Sequence, residues 1–300
     1  MTEIKLNLIC LSTILTIVLN YFTDAKSDAG SCSPNPCLHG GTCAMRLNQK
    51  HQQKAHCSCP GGWTGLNCKY PCINVYKSCD KLWKREGRCY THRRWTDWYD
   101  VNCPVTCQQC TVDQRTIPDG LPFPPQLEPL AQLIGRYVLA SEQPGSRHFP
   151  VNFPNNTSFT EELRFELSEV PMFGTPSINY TAIARSVRNP HDIQVERGFI
   201  TVEDKYENYP VTISLMRVSN NGAVFWEDGV VHRGGQTLKF NLAGVRTLKF
   251  WGDDIEMRTK FPESATRDII LTNDTMRVEV SEVRRRRPQA YEYYYRRVPL

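Results

Sequence analysis

No cysteine follows Cys110, and only Cys10 precedes Cys32. The sequence shows no Ser-His-Asp elbow, no paired-carboxylate context and no phosphate-cradling glycine loop, so the common hydrolytic and nucleotide chemistries lack their residues. Histidine is scarce, and His148 and His232 stand isolated in a polar loop or strand end, read as surface. Helical periodicity is nearly absent, which argues against a bundle. Beyond the N-terminal segment no stretch is apolar enough to span a bilayer. Net charge is only +5, and compartment makes nucleic acid a poor partner.

Twelve of the thirteen cysteines lie between Cys32 and Cys110. A reducing cytosol would leave them free or metal-bound, whereas an oxidising compartment would turn them into staples for modules too small to build a core. A zinc cluster is the alternative for so many thiols. By spacing the twelve form two sets: Cys32, Cys37, Cys43, Cys57, Cys59 and Cys68, then Cys72, Cys79, Cys89, Cys103, Cys107 and Cys110. Spacing alone does not choose among the fifteen connectivities of six cysteines.

The first set carries Cys59-Pro-Gly-Gly-Trp63-Thr-Gly65-Leu-Asn-Cys68, preceded by Gly40-Gly41-Thr42-Cys43. It resembles an EGF-like module over 32–70, which implies the pairs Cys32–Cys43, Cys37–Cys57 and Cys59–Cys68. The run Cys37 to Cys43 matches that family's O-fucose acceptor pattern at Thr42. Gly30-Ser31 and Met45 replace the family's calcium oxygens, so no calcium is expected. The second set carries Trp83, Gly87 and the ending Cys103-Pro-Val-Thr-Cys107-Gln-Gln-Cys110. It resembles a ShK module over 72–110, implying Cys72–Cys110, Cys79–Cys103 and Cys89–Cys107. Asp97-Trp98 stands where channel-blocking members have Lys-Tyr, so only the scaffold carries over. His92, Arg93, Arg94, Trp95, Trp98 and Tyr99 form an aromatic-basic patch, either interface anchors or the cover of a coreless module.

Residues 1–25 read as a signal peptide: Lys5, an apolar run from Leu6 to Leu19, and small residues at Thr23 and Ala25. An uncleaved anchor is the other reading. Residues 111–128, with Pro118, Pro122, Pro124 and Pro125, read as a stiff linker.

The cysteine-free half, 129–283, alternates with period two, as in Glu162-Leu163-Arg164-Phe165-Glu166-Leu167 and Met276-Arg277-Val278-Glu279-Val280. Strands are also expected at 137–140, 178–186, 195–202, 211–218, 223–231, 237–242, 246–251 and 255–260, with turn signals such as Ser219-Asn-Asn-Gly222. The expected fold is mostly β: two small disulfide-rich modules followed by a roughly ten-stranded antiparallel barrel, lipocalin-like and wide enough for a small ligand.

Pro129-Leu130-Ala-Gln-Leu133-Ile-Gly135-Arg-Tyr137, Phe159-Thr-Glu161-Glu162-Leu163-Arg164-Phe165, Glu196-Arg-Gly198-Phe199-Ile200 and Ser219-Asn-Asn-Gly222-Ala-Val224-Phe-Trp226-Glu-Asp-Gly229 follow in order. Together they resemble the nitrobindin-like family, ten-stranded barrels that bind heme. The resemblance implies an axial histidine at the start of the last strand, where Asn273-Asp274-Thr275-Met276 stands instead. It implies a second histidine where this chain has Gln194, with His191 three residues earlier. Tyr137, Leu139 and Ser141 replace a glycine-rich opening and narrow the cavity. His191, Gln194 and Met276 are the residues left to hold a ligand.

Sequons at Asn155, Asn156, Asn179 and Asn273 are glycan sites if the chain is secreted. Residues 284–300 hold six arginines and Glu292, a charge of +5 equal to that of the whole chain. They read as a disordered basic tail that would meet acidic partners such as sulfated glycans. The leading expectation is a secreted, non-enzymatic interaction or matrix protein. The second is a carrier of heme or another small hydrophobic ligand. A heme enzyme acting on reactive nitrogen species comes third, because it lacks its iron ligand.

Overall fold

The computed structural model describes residues 31–47, 53–65, 67–80, 89, 102–140, 158–169, 175–203, 211–247, 261–284 and 286–299. Outside them lie the N-terminal apolar run, the patch from His92 to Tyr99, Asp97, Ser141, His148, Asn155, Asn156 and the strands expected over 248–260. The chain divides into two compact units, 1–72 with 108–117 and 73–107 with 118–300.

The first unit is held by staples and little else. Strands β1 (Thr42–Leu47) and β2 (Gln53–Ser58) form a hairpin, and β3 (Trp63–Thr64) meets β4 (Tyr70–Pro71) in a two-residue pair. Disulfides join Cys32–Cys43, Cys37–Cys57, Cys59–Cys68 and Cys72–Cys110. Its core is the cysteines themselves with Trp63 against them. The His39 ring stacks on Trp63 with 3.3 Å between centroids. Gly62 has φ +86°, open to glycine at little cost, and its carbonyl accepts from Thr116 Oγ1 at 2.9 Å. The start of the expected linker is thereby part of this unit.

The second unit opens with the other staples, Cys79–Cys103 and Cys89–Cys107. Cys107 N–H donates to the Cys103 carbonyl at 2.9 Å, one helical turn.

The bulk of this unit is a closed barrel of ten antiparallel strands in sequence order. These are β5 (Gly135–Leu139), β6 (Phe159–Leu167), β7 (Ser177–Ser186), β8 (Ile193–Glu203), β9 (Val211–Ser219), β10 (Ala223–His232), β11 (Thr237–Thr247), β12 (Ser264–Leu271), β13 (Thr275–Arg284) and β14 (Arg287–Val298). Every second side chain points inward, as the pleat requires: Phe159, Glu161, Leu163 and Phe165 on β6, for example, are all buried.

Two boundaries differ from the sequence expectation. The linker does not run to 128. Pro125–Leu133 forms a 3-10 helix that buries Leu127, Leu130 and Leu133 in the barrel core. A 3-10 helix turns every three residues, so leucines at that spacing share one edge. Pro125 begins it, where its missing N–H costs nothing. Gln126 Nε2 ties it to the Val202 carbonyl at 2.9 Å.

The second difference is the basic tail. Arg287–Val298 is β14, paired with β13 on one side and with β5 on the other. Tyr293 and Tyr295 point inward and are buried, while Glu292, Tyr294 and Arg296 face out. Composition hid a period-two strand, because its inward residues are tyrosines rather than aliphatics. Without β14 the barrel has two open edges. Ending the chain after Arg284 should therefore abolish the cooperative melting transition, read by circular dichroism. A disordered tail could be removed with no change.

Candidate functional site

A ligand in such a barrel would occupy the lumen, so its contents decide what it can hold. Aromatic rings fill much of it. Tyr137, Phe159, Phe165 and Phe240 are each at most 1 % exposed. Tyr137 and Leu139, the replacements for the family's glycines, are both inside.

The remaining lumen holds charge. Arg217 on β9 is 1 % exposed. Its Nη1 donates to Glu196 Oε2 on β8 at 2.5 Å, and its Nη2 lies 3.3 Å from Glu227 Oε2 on β10. Arg267 on β12 reaches the same Glu227 oxygen at 2.5 Å. The guanidiniums also lie over rings, Arg217 over Phe225 at 5.0 Å and Arg267 over Phe240 at 5.4 Å, where cation–π attraction adds to the ion pairs. Tyr295 donates to Glu161 Oε2 at 2.6 Å, and Arg284 Nε to Glu282 Oε1 at 2.6 Å. Gly198 is the register partner of Arg217, and a Cβ there would lie 2.0 Å from the Met216 carbonyl oxygen. Glycine is therefore what lets the arginine's strand come close.

Burial shifts two of these groups. It pushes the Tyr180 hydroxyl up to about 12, with the Glu196 carboxylate adding in the same direction. For Arg217 burial works against the charge, but Glu227 and Glu196 outweigh it and hold the guanidinium above the ordinary arginine value. Arg217 therefore keeps its charge in the interior. The space left among Glu161, Tyr180, Arg217, Arg267, Tyr293 and Tyr295 is about 30 Å³, room for about one or two waters.

The three residues expected to hold a ligand do not meet. Met276 is the second residue of β13 and is 1 % exposed, packed in the core near the end that the 3-10 helix plugs. His191 is exposed in the β7–β8 turn at the opposite end, its N–H held by Asn189 Oδ1 at 3.2 Å. Gln194 shares the inward face of β8 with Glu196, near His191 rather than Met276. A strand of ten residues separates the two ends by about 30 Å.

Asn179 lies half-buried on β7 and Asn273 is exposed in the β12–β13 turn. Thr42 is exposed at the start of β1. The residues that the sequence reading passed over are Glu161, Glu196, Arg217, Glu227, Arg267 and Glu282. Each shares its inward parity with apolar neighbours, as in Ile213-Leu215-Arg217, so the signal was present.

Arg217→Met should destabilise the chain by about 3–5 kcal/mol in denaturant unfolding, because it removes the cation between the buried Glu196 and Glu227 carboxylates. The Tyr180 hydroxyl is raised in the fold above its unfolded value near 10, so its contribution is whole below pH 10 and lost as pH climbs towards 12. Tyr180→Phe should flatten that alkaline loss of stability.

Residues 126–288, more than half of the chain, match the model of the THAP4-like, heme-binding beta-barrel domain. Residues 32–67 match the EGF-like domain. An uncharacterized protein of Caenorhabditis elegans is 30% identical over 167 residues, 54% of this chain and 53% of that protein. Fibropellin-3 of Strongylocentrotus purpuratus is 43% identical over 44 residues, 15% of this chain and 7% of its own length. Lactadherin of Sus scrofa is 49% identical over 46 residues, 14% of this chain and 11% of its own. The chain thus spans at most about half the length of these relatives. Through the closed ten-stranded half that carries the buried arginine network, the chain belongs to the family of the THAP4-like, heme-binding β-barrel domain.

Proposed function

We propose that the protein is a secreted, non-enzymatic interaction protein of the extracellular space. Its EGF-like and ShK-like modules present surfaces to protein partners, and its barrel is a recognition or scaffold domain that does not hold heme. The observation that carries this reading is the filled lumen. Among the described residues the pocket between these charged and aromatic side chains is about 30 Å³, whereas pockets for cofactor-sized ligands run to about 300–1,000 Å³. Admitting a porphyrin would mean dismantling the Arg217 and Arg267 ion pairs in a low-dielectric interior. Met276, a thioether donor inside, is packed among core side chains. The residues present do not fit the cofactor.

Six disulfides and the EGF-like match support the compartment, since such staples persist where the environment is oxidising. Among the described residues no helix is long and apolar enough to cross a membrane. For a sulfated-glycan partner the arginines of residues 284–300 divide into two groups. Arg287 and Arg296 stand at opposite ends of β14, about 30 Å apart. Arg297 lies over the Tyr137 ring at 5.7 Å, and Arg284 is held by Glu282. Protein partners are the better fit.

The carrier reading has one observation in its favour. A cleft of about 590 Å³ opens beside the plugged end, lined by Pro129, Val211, Val231 and His232. A small hydrophobic ligand would sit there rather than in the lumen.

The test is a hemin titration of the full chain secreted from animal cells, with native mass spectrometry of the untreated protein. The expected result is no saturable Soret band and no co-purified mass. A saturable band that survives Met276→Leu but is lost in His232→Ala would move heme to the outer cleft. A band lost in Met276→Leu would overturn the closed-lumen reading.

A further inference from the structure

The outer wall of the barrel carries an apolar row that its inner wall does not explain. Phe199 on β8 is 54% exposed, Met216 on β9 58% and Trp226 on β10 36%. They are register partners: Phe199 faces Met216, and Met216 faces Trp226. On β11 the partner of Trp226 is Gly244, and a Cβ there would meet the indole at 2.1 Å. The ring therefore lies across the glycine backbone and extends the row. Val218, 45% exposed, widens it on one side. On the other side it stops abruptly at a polar row in which Ser214 Oγ donates to Asp228 Oδ1 at 2.7 Å.

Such a contiguous row is costly in water unless something covers it. On its β7 side the register partner of Phe199 is Asn179. Asn179 is a sequon acceptor, followed by Tyr180 and Thr181. The Asn179 and Phe199 side chains project from the same face with Cβ atoms about 4.5–5.5 Å apart. Trp226 lies two strands beyond Phe199, about 14 Å from Asn179 at the usual strand spacing. The inner sugar rings of an N-linked chain would cover that reach. Their C–H faces are apolar and match aromatic rings, and their hydroxyls face water.

We propose that Asn179 carries an N-linked glycan whose first sugars lie along Phe199, Met216 and Trp226, so that the row is a carbohydrate-covered wall. This rests on the extracellular reading above. In the modification, Asn179 Nδ2 bonds to the anomeric carbon of a lipid-diphosphate-linked oligosaccharide. The glycosyl–phosphate bond breaks, the lipid diphosphate leaves, and one amide proton goes to a base of the host transferase.

The experiment uses the full chain collected from animal-cell medium. Glycan occupancy at Asn179 is read by peptide mass spectrometry. Shielding is read as the rate at which peroxide oxidises Met216, in the wild type, in Thr181→Val, and in wild type whose glycans are removed enzymatically after folding. Removal after folding guards against misfolding of the variant. The expected result is an occupied Asn179 and Met216 oxidation several-fold slower than in either bare form. An unoccupied Asn179, or equal rates, overturns the proposal. Shielding that survives deglycosylation but is lost in Trp226→Ser, with a fall from dimer to monomer, assigns the row to a second copy and overturns it as well. A chain retained in the cell with every sequon bare sinks the extracellular reading and this inference together; a chain in the medium with Asn179 bare sinks this inference alone.

Discussion

A closed ten-stranded barrel must put something in its middle, and here the middle is Arg217. Two carboxylates on the neighbouring strands hold it, Glu196 and Glu227, and Arg267 reaches the second of them from two strands further round the wall. In a medium of low dielectric these charges cannot be left singly, so the four must be assembled together or not at all. Such a cluster adds little net stability, because desolvation offsets most of the attraction. What it fixes is register. A one-residue slip of any of the four strands would turn its charge outward and orphan the others. The glycine at 198, the rings of Phe225 and Phe240 and the tight lumen are arranged around that arrangement of charges.

The family and the interior consequently point in different directions. The barrel's topology is that of a heme-binding family, yet fold does not by itself carry a site. A site needs a donor and a space. Among the described residues, His191 and Met276 sit at opposite ends of the barrel, and charged and aromatic side chains crowd its centre.

Much of this architecture could be read from residue order. Period-two alternation marked the barrel, and the first cysteine set marked the EGF-like domain. Two strands were masked by one cause: polar or tyrosine residues at inward positions. Ala265, Arg267, Ile269 and Leu271 alternate as cleanly as any strand, but Arg267 breaks the apolar rhythm, and β12 went unnamed. Tyr291, Tyr293 and Tyr295 alternate too, but the surrounding arginines looked like a tail. The triplet spacing of Leu127, Leu130 and Leu133 has a period between strand and α-helix, so neither pattern claimed it. The lumen's charge was visible by parity alone, since Glu196 and Glu227 sit in the very motifs that carried the family resemblance.

The leucine-bearing 3-10 helix sits between the cross-linked N-terminal modules and β5, a strand of five residues. A chain held at its N-terminal modules and pulled would transmit load through covalent staples that do not extend. The first element on the way that can yield is this helix, followed by β5, the shortest strand in the wall. Tension would draw the leucines out before it sheared any long strand pair. The barrel would then open where β5 sits between β14 and β6, while the charged centre stayed paired. A segment that reads as a spacer would thus be the first part of the barrel unit to give under load.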